Sequence, residues 1–145
     1  MNKWVALLVS AGILAVAAFL IWRKPESGSV ARGKAVYATH CLNCHGEKGE
    51  GLGKLIPPIQ DQNRWEITDL VCSIRYGRKG EIQVGGQRYD GIMPPNFELD
   101  EGEIRDLVNY VRKEIQTCAQ CEEIGLVEVE KNLLNCTLAR PLSSN

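Results

Sequence analysis

Cys41-Leu42-Asn43-Cys44-His45 is the stretch that decides the fold. Two thiols stand one helical turn apart, and an imidazole follows at once. This spacing lets both sulfurs add to the two vinyl groups of a haem, with the imidazole beneath the iron as proximal ligand. A bare C-x-x-C would also suit a thioredoxin-like redox pair or half a zinc site. The adjoining His45 favours haem over both. A four-cysteine zinc site with Cys118 and Cys121 fails on spacing, because Cys44 and Cys118 are much further apart than the common separation of about 15–20 residues.

Upstream, Val30 to Thr39 reads as a helix running into the motif. Gly33, Tyr37 and Cys41 recur every four residues and share one face. A glycine inside a helix costs about 1 kcal/mol relative to alanine, so Gly33 points to close approach by another helix.

A six-coordinate iron needs a second axial ligand. The chain has two methionines, and Met1 precedes a long apolar run. Met93, in Asp90-Gly91-Ile92-Met93-Pro94-Pro95, is the remaining thioether, a neutral soft donor that raises the reduction potential relative to a second imidazole. The prolines stiffen its loop. His40 abuts Cys41 and is expected to face solvent, not the iron.

The rest of the middle region is helical with one interruption. Glu66 to Tyr76 presents Ile67, Leu70, Val71 and Ile74 on one face and stops at Gly77; Asp100 to Gln116 presents Ile104, Leu107, Val108 and Val111. Residues 81–84 and 87–90 flank Gly85-Gly86, as a small hairpin would.

Trp4 to Trp22 carries no charge and spans roughly 28 Å as a helix, enough for a hydrocarbon layer of about 30 Å. Terminal tryptophans suit the membrane interface. Cleavage after Ala15-Val16-Ala17 would strand Ala18 to Trp22 at a new N-terminus, so an uncleaved anchor over residues 1–24 is expected, with residues 25–29 as a flexible tether. The net charge of −1 offers nucleic acid no basic surface. Basic residues in the first 24 positions leave the remainder mildly acidic, which suits steering of a basic redox partner.

Six cysteines fit an oxidising compartment. Apart from the motif pair, Cys72, Cys118, Cys121 and Cys136 allow three pairings. Cys118–Cys121 could close locally and leave Cys72 with Cys136. A working dithiol at Cys118 and Cys121 is the sharper alternative, but neither a histidine nor a thioredoxin-like strand pattern lies nearby, and the glutamate and glutamine neighbours would not stabilise a thiolate. Val127, Val129, Leu133, Leu134 and Leu138 suit a short helix that packs back or offers a docking surface.

From about Val30 to Thr117 the chain resembles a class I single-haem cytochrome c, of the short bacterial type related to the cytochrome subunits of cbb3 oxidases. Gly33, Tyr37, CLNCH, Gly49 to Gly53, Pro57-Pro58, GIMPP and Glu103 to Val111 carry the likeness. The resemblance implies an all-α cytochrome c fold around one covalent haem c (residues 30–117), to which the residue patterns add an N-terminal transmembrane helix and a small helical C-terminal extension (118–145). It implies cofactor contacts from Cys41, Cys44, His45 and Met93, the last two on the iron. It further implies that Pro57 or Pro58 accepts from His45 Nδ1–H, that Trp65 approaches a haem propionate, and that Arg75 is its charge partner. Tyr110 would meet Gly33 where the last helix crosses the first, and Cys72 would pair with Cys136.

The expected function is single-electron transfer without a small-molecule substrate. The chain would not be an enzyme by itself, although it could be a subunit of one. The haem domain would face the periplasm from a single-pass anchor in a bacterial cytoplasmic membrane. Partners would be redox proteins such as a quinol-oxidising complex or terminal oxidase. Two other classes compete: a haem-based sensor or ligand-binding protein, which needs Met93 to dissociate, and a thiol–disulfide protein using Cys118 and Cys121.

Overall fold

A computed structural model describes residues 12–13, 28–60 and 65–139. The expected anchor lies outside the described residues except for Gly12 and Ile13, as does most of the tether. Among the described residues no helix is long and apolar enough to cross a membrane.

Beyond Gly12 and Ile13, the described residues form five α-helices in order: α1 (Gly28–His40), α2 (Leu42–His45), α3 (Ile67–Tyr76), α4 (Glu101–Tyr110) and α5 (Leu126–Ala139). An antiparallel hairpin, β1 (Ile82–Val84) with β2 (Gln87–Tyr89), lies between α3 and α4. It amends the all-α expectation and forms where Gly85 and Gly86 take φ of 58° and 79°. Those left-handed angles are the ones a two-residue turn demands.

α1 and α4 form the central crossing. A Cβ on Gly33 would lie 1.9 Å from the Asp106 carbonyl oxygen and 2.7 Å from Tyr110 Cβ, so only glycine permits this approach. Tyr37 and Tyr110 then meet with ring centroids 5.4 Å apart. Asp100 opens α4 with a capping box: it accepts from Glu103 N–H at 2.8 Å while the Glu103 carboxylate accepts from Asp100 N–H at 3.0 Å.

The expected helix to Gln116 changes character at Val111, where a π-helical turn runs to Ile115. Ile115 is thereby buried, and the Gln116 amide donates to the Ile59 carbonyl at 3.1 Å. Leu70, Val71 and Ile74 of α3 meet Ile104, Leu107, Val108 and Val111 in one core.

The C-terminal extension belongs to the same packing. Cys72 is bonded to Cys136 and Cys118 to Cys121, which selects one of the three pairings. Thr68 Oγ1 donates to Asn132 Oδ1 at 2.5 Å, joining α3 to α5. Val129 is fully buried and Leu133 partly so, whereas Val127 and Leu134 face outward; the side chain of Leu138 lies outside the described part. The buried Asn109 amide clamps the connection, accepting from Ile124 N–H at 2.8 Å and donating to Ile124 C=O at 3.2 Å. Sequence reading missed this clamp, because an asparagine inside an amphipathic helix carries no local sign of its partner.

Candidate haem site

The site starts at the break between α1 and α2. Cys41 has φ −122° and ψ −35°, so the chain leaves α1 and re-enters a single helical turn. His45 N–H donates to the Cys41 carbonyl at 2.9 Å, and Tyr37 Oη donates to the Gly46 carbonyl at 2.6 Å. These bonds hold both ends of the motif against the crossing of α1 and α4.

Cys41 and Cys44 are the free thiols of the described chain. Both line a cleft with about 1360 Å³ of space free of protein atoms, open mouth included. His45, Pro57, Trp65 and Met93 line it too, so the cleft unites residues from four separate segments. Its other walls are largely aliphatic, including Leu70, Ile74, Leu107 and Val111.

Met93 is held through its backbone. It exchanges two hydrogen bonds of 2.9 Å with Arg78, one in each direction. Gly77, at φ +69°, makes room for the loop, since a Cβ there would lie 2.3 Å from the Met93 carbonyl oxygen. Asn96 N–H donates to the Ile74 carbonyl at 3.1 Å. The loop after α3 and the GIMPP loop therefore form one unit at the cleft. His40 is exposed, as expected, although its edge reaches the cleft and its Nδ1 lies 3.3 Å from Asn96 Nδ2.

The structure gives two of the sequence-predicted residues other contacts. Arg75 is not among the cleft-lining residues. Its guanidinium instead donates to the Leu99 carbonyl at 2.7 Å and lies 3.4 Å from Glu101 Oε1, pinning the segment before α4. The arginine in the cleft is Arg78, three residues on, past the Gly77 turn that ends α3. The second concerns His45 Nδ1, which is buried without a hydrogen-bond partner among the described residues. Pro57 lines the cleft, but neither its carbonyl nor that of Pro58 accepts from this nitrogen.

These residues suit a haem attached through two thioethers. Burial lowers the His45 pKa, leaving at neutral pH the uncharged imidazole that iron binds. Burial, with help from Cys44, pushes the Cys41 thiol up to about 11, so it is a protonated thiol and not a reactive thiolate. An aliphatic cleft with a half-buried imidazole, whose Nδ1 has no partner among the described residues, and two unpaired thiols at its edge provides the donors and apolar walls that a covalent haem requires.

The sequence profile of the family described as cytochrome c matches residues 30–114. The chain belongs to the cytochrome c family. The cytochrome carries covalently bound haem c. It is 29% identical over 87 residues to cytochrome c-552 of Thermus thermophilus, covering 56% of this chain and 66% of that protein. It is 31% identical over 83 residues to the cbb3-type cytochrome c oxidase subunit CcoP of Rhodobacter capsulatus, covering 54% and 27% respectively. For the Helicobacter pylori CcoP subunit the values are 29% over 112 residues, 74% of this chain and 35% of that subunit. The cytochrome thus spans about a third or less of these oxidase subunits.

Proposed function

We propose that this cytochrome is a membrane-anchored, single-haem carrier that passes electrons between respiratory partners, with His45 and Met93 as axial ligands. The meeting of His45 and Met93 in one cleft with Cys41 and Cys44 carries the reading. Haem supplies one-electron exchange between ferric and ferrous iron. Cys41 and Cys44 would attach it, His45 and Met93 would hold its iron, and the aliphatic walls of the cleft would keep water off much of its surface. A thioether opposite an imidazole favours the reduced state, which suits a carrier near the oxidising end of a chain.

The membrane assignment rests on the apolar run Trp4 to Trp22. Held there on the periplasmic side of a bacterial cytoplasmic membrane, the haem domain would meet membrane complexes at a raised effective concentration. Similarity to oxidase subunits supports a terminal oxidase as electron acceptor, and a quinol-oxidising complex is the matching donor class. The chain then needs no substrate site of its own.

The visible spectrum of the oxidised protein tests the ligands. The parent is expected to show the far-red sulfur-to-iron band, and Met93→Ala to lose it and bind imidazole rapidly. If the band survives in Met93→Ala, Met93 is not the ligand. Isolation from native membranes, with co-purifying haem proteins identified, tests the partner and the anchor together.

A further inference from the structure

The two disulfides differ in how readily a reagent can reach them. Cys72 and Cys136 are 8% and 2% exposed, and Cys118 is 4% exposed. Cys121 is half-buried and lines a polar groove between the start of α3 and α5. Of the four bonded cysteines, it is the one that solvent reaches. Arg112 and Lys131 line the groove together with Glu66 and Glu128, so an incoming thiolate meets no net repulsion from its walls.

The Cys118–Cys121 bond spans a sequence separation of 3, against 64 for Cys72–Cys136. So short a loop contributes least to holding the fold. Thr117, just before the ring, has φ +50°, a conformation that a β-branched residue adopts only when its surroundings impose it. Opening the ring removes one of those constraints and favours the reduced form.

The acidic neighbours of Cys118 and Cys121 leave them unsuited to attack as thiolates. Being attacked requires only a reachable sulfur, which Cys121 provides. We propose that Cys118–Cys121 is a thiol–disulfide exchange site, separate from the haem, whose partner is a reduced dithiol protein. The partner's thiolate attacks Cys121 Sγ, the S–S bond breaks, and Cys118 leaves with the electron pair and takes up a proton. Cys118 stays close in the chain, so it would re-close the ring on a monothiol. A second thiol on the partner prevents this. It loses its proton, attacks the partner's own sulfur and releases Cys121, which is then protonated. Two electrons and two protons thus pass to this chain, and the partner keeps a disulfide. The inference rests neither on the membrane anchor nor on Met93 as ligand.

The test uses the haem-loaded full chain, first reduced with ascorbate so that the iron does not consume thiol. It is treated with dithiothreitol without denaturant, and maleimide-quenched samples are mapped by mass spectrometry. Cys118 and Cys121 are expected to open as a pair roughly tenfold or more faster than Cys72 and Cys136. Glutathione at equal thiol concentration should leave roughly tenfold less of the ring open. Single variants read the direction of attack with dithionitrobenzoate. The Cys121 thiol of Cys118→Ser should react roughly tenfold or more faster than the Cys118 thiol of Cys121→Ser. A ring that is only a brace opens with the fold, together with Cys72–Cys136. Equal opening of both bridges, no opening without denaturant, or a Cys118 thiol as reactive as Cys121 overturns the exchange site. Glutathione as effective as dithiothreitol overturns the dithiol partner. If either variant fails to retain haem, the bridge selectivity of the parent decides.

Discussion

Gly33 and Asp106 touch through backbone: a Cβ on the glycine would sit 1.9 Å from the aspartate carbonyl oxygen. No side chain can rotate out of that overlap, because the obstructing atom belongs to a hydrogen-bonded helix. The α1–α4 crossing is thus set by one missing methyl group, and CLNCH hangs from the end of α1.

Gly33→Ala is expected to force the helices apart. Overpacking commonly costs about 1–3 kcal/mol, and a clash with backbone belongs at the upper end or beyond. Denaturant titration of the haem-loaded protein should show a markedly lower midpoint. An unchanged midpoint would mean that the crossing can open without loss.

Gly77→Ala places its methyl group 2.3 Å from the Met93 carbonyl oxygen at a φ of +69°. Strain at such a position costs about 1–3 kcal/mol, and here it falls on the Met93 loop. The expected result is a weakened far-red band and imidazole binding at least tenfold faster than in the parent, with far-UV dichroism retained.

The bond between Cys72 and Cys136 closes a loop of sequence separation 64. In the chain-entropy treatment such a loop is worth about 4 kcal/mol. Replacing both cysteines by serine should lower stability by roughly 2–5 kcal/mol. The Cys118–Cys121 pair, at separation 3, should cost less than half as much. Urea midpoints of the two double variants, haem attached, provide the comparison.

Asp106 gives stability a pH dependence of definite sign. Burial alone would raise its pKa, but hydrogen bonds from Arg32, Arg105 and Ser29 outweigh it and hold the carboxyl below its usual value. A depressed folded pKa means the contribution is complete above the unfolded value of about 3.9 and is lost as pH falls through the folded value. Stability should therefore decline on acidification below about pH 4. Asp106→Asn should flatten that decline while costing about 1–3 kcal/mol at neutral pH. Equal acid slopes in parent and variant would show that Asp106 does not titrate in this range.

Residues whose chemistry is complete within a few positions were legible in the chain. CLNCH is one helical turn, so its function follows from local geometry alone. Gly33 announced a close approach because a glycine in a helix has a cost that something must offset. The three amphipathic helices were readable by period and the hairpin by its paired glycines. Met93 stood out because so few thioethers compete with it.

Tertiary structure decided what depends on side-chain direction past a turn. Arg75 and Arg78 are equivalent in composition, but α3 ends at Gly77 between them; the first guanidinium reaches the Leu99 carbonyl and the second lines the cleft. The clamp from Asn109 to Ile124 and the cluster around Asp106 join segments distant in sequence. Such partners leave no local pattern, since buried polar groups are satisfied by whatever the fold brings near. The sequence by itself determined that a covalent haem is bound and which atoms can hold it. Only the folded chain decided which arginine shares its cleft, because one left-handed glycine redirects everything after α3.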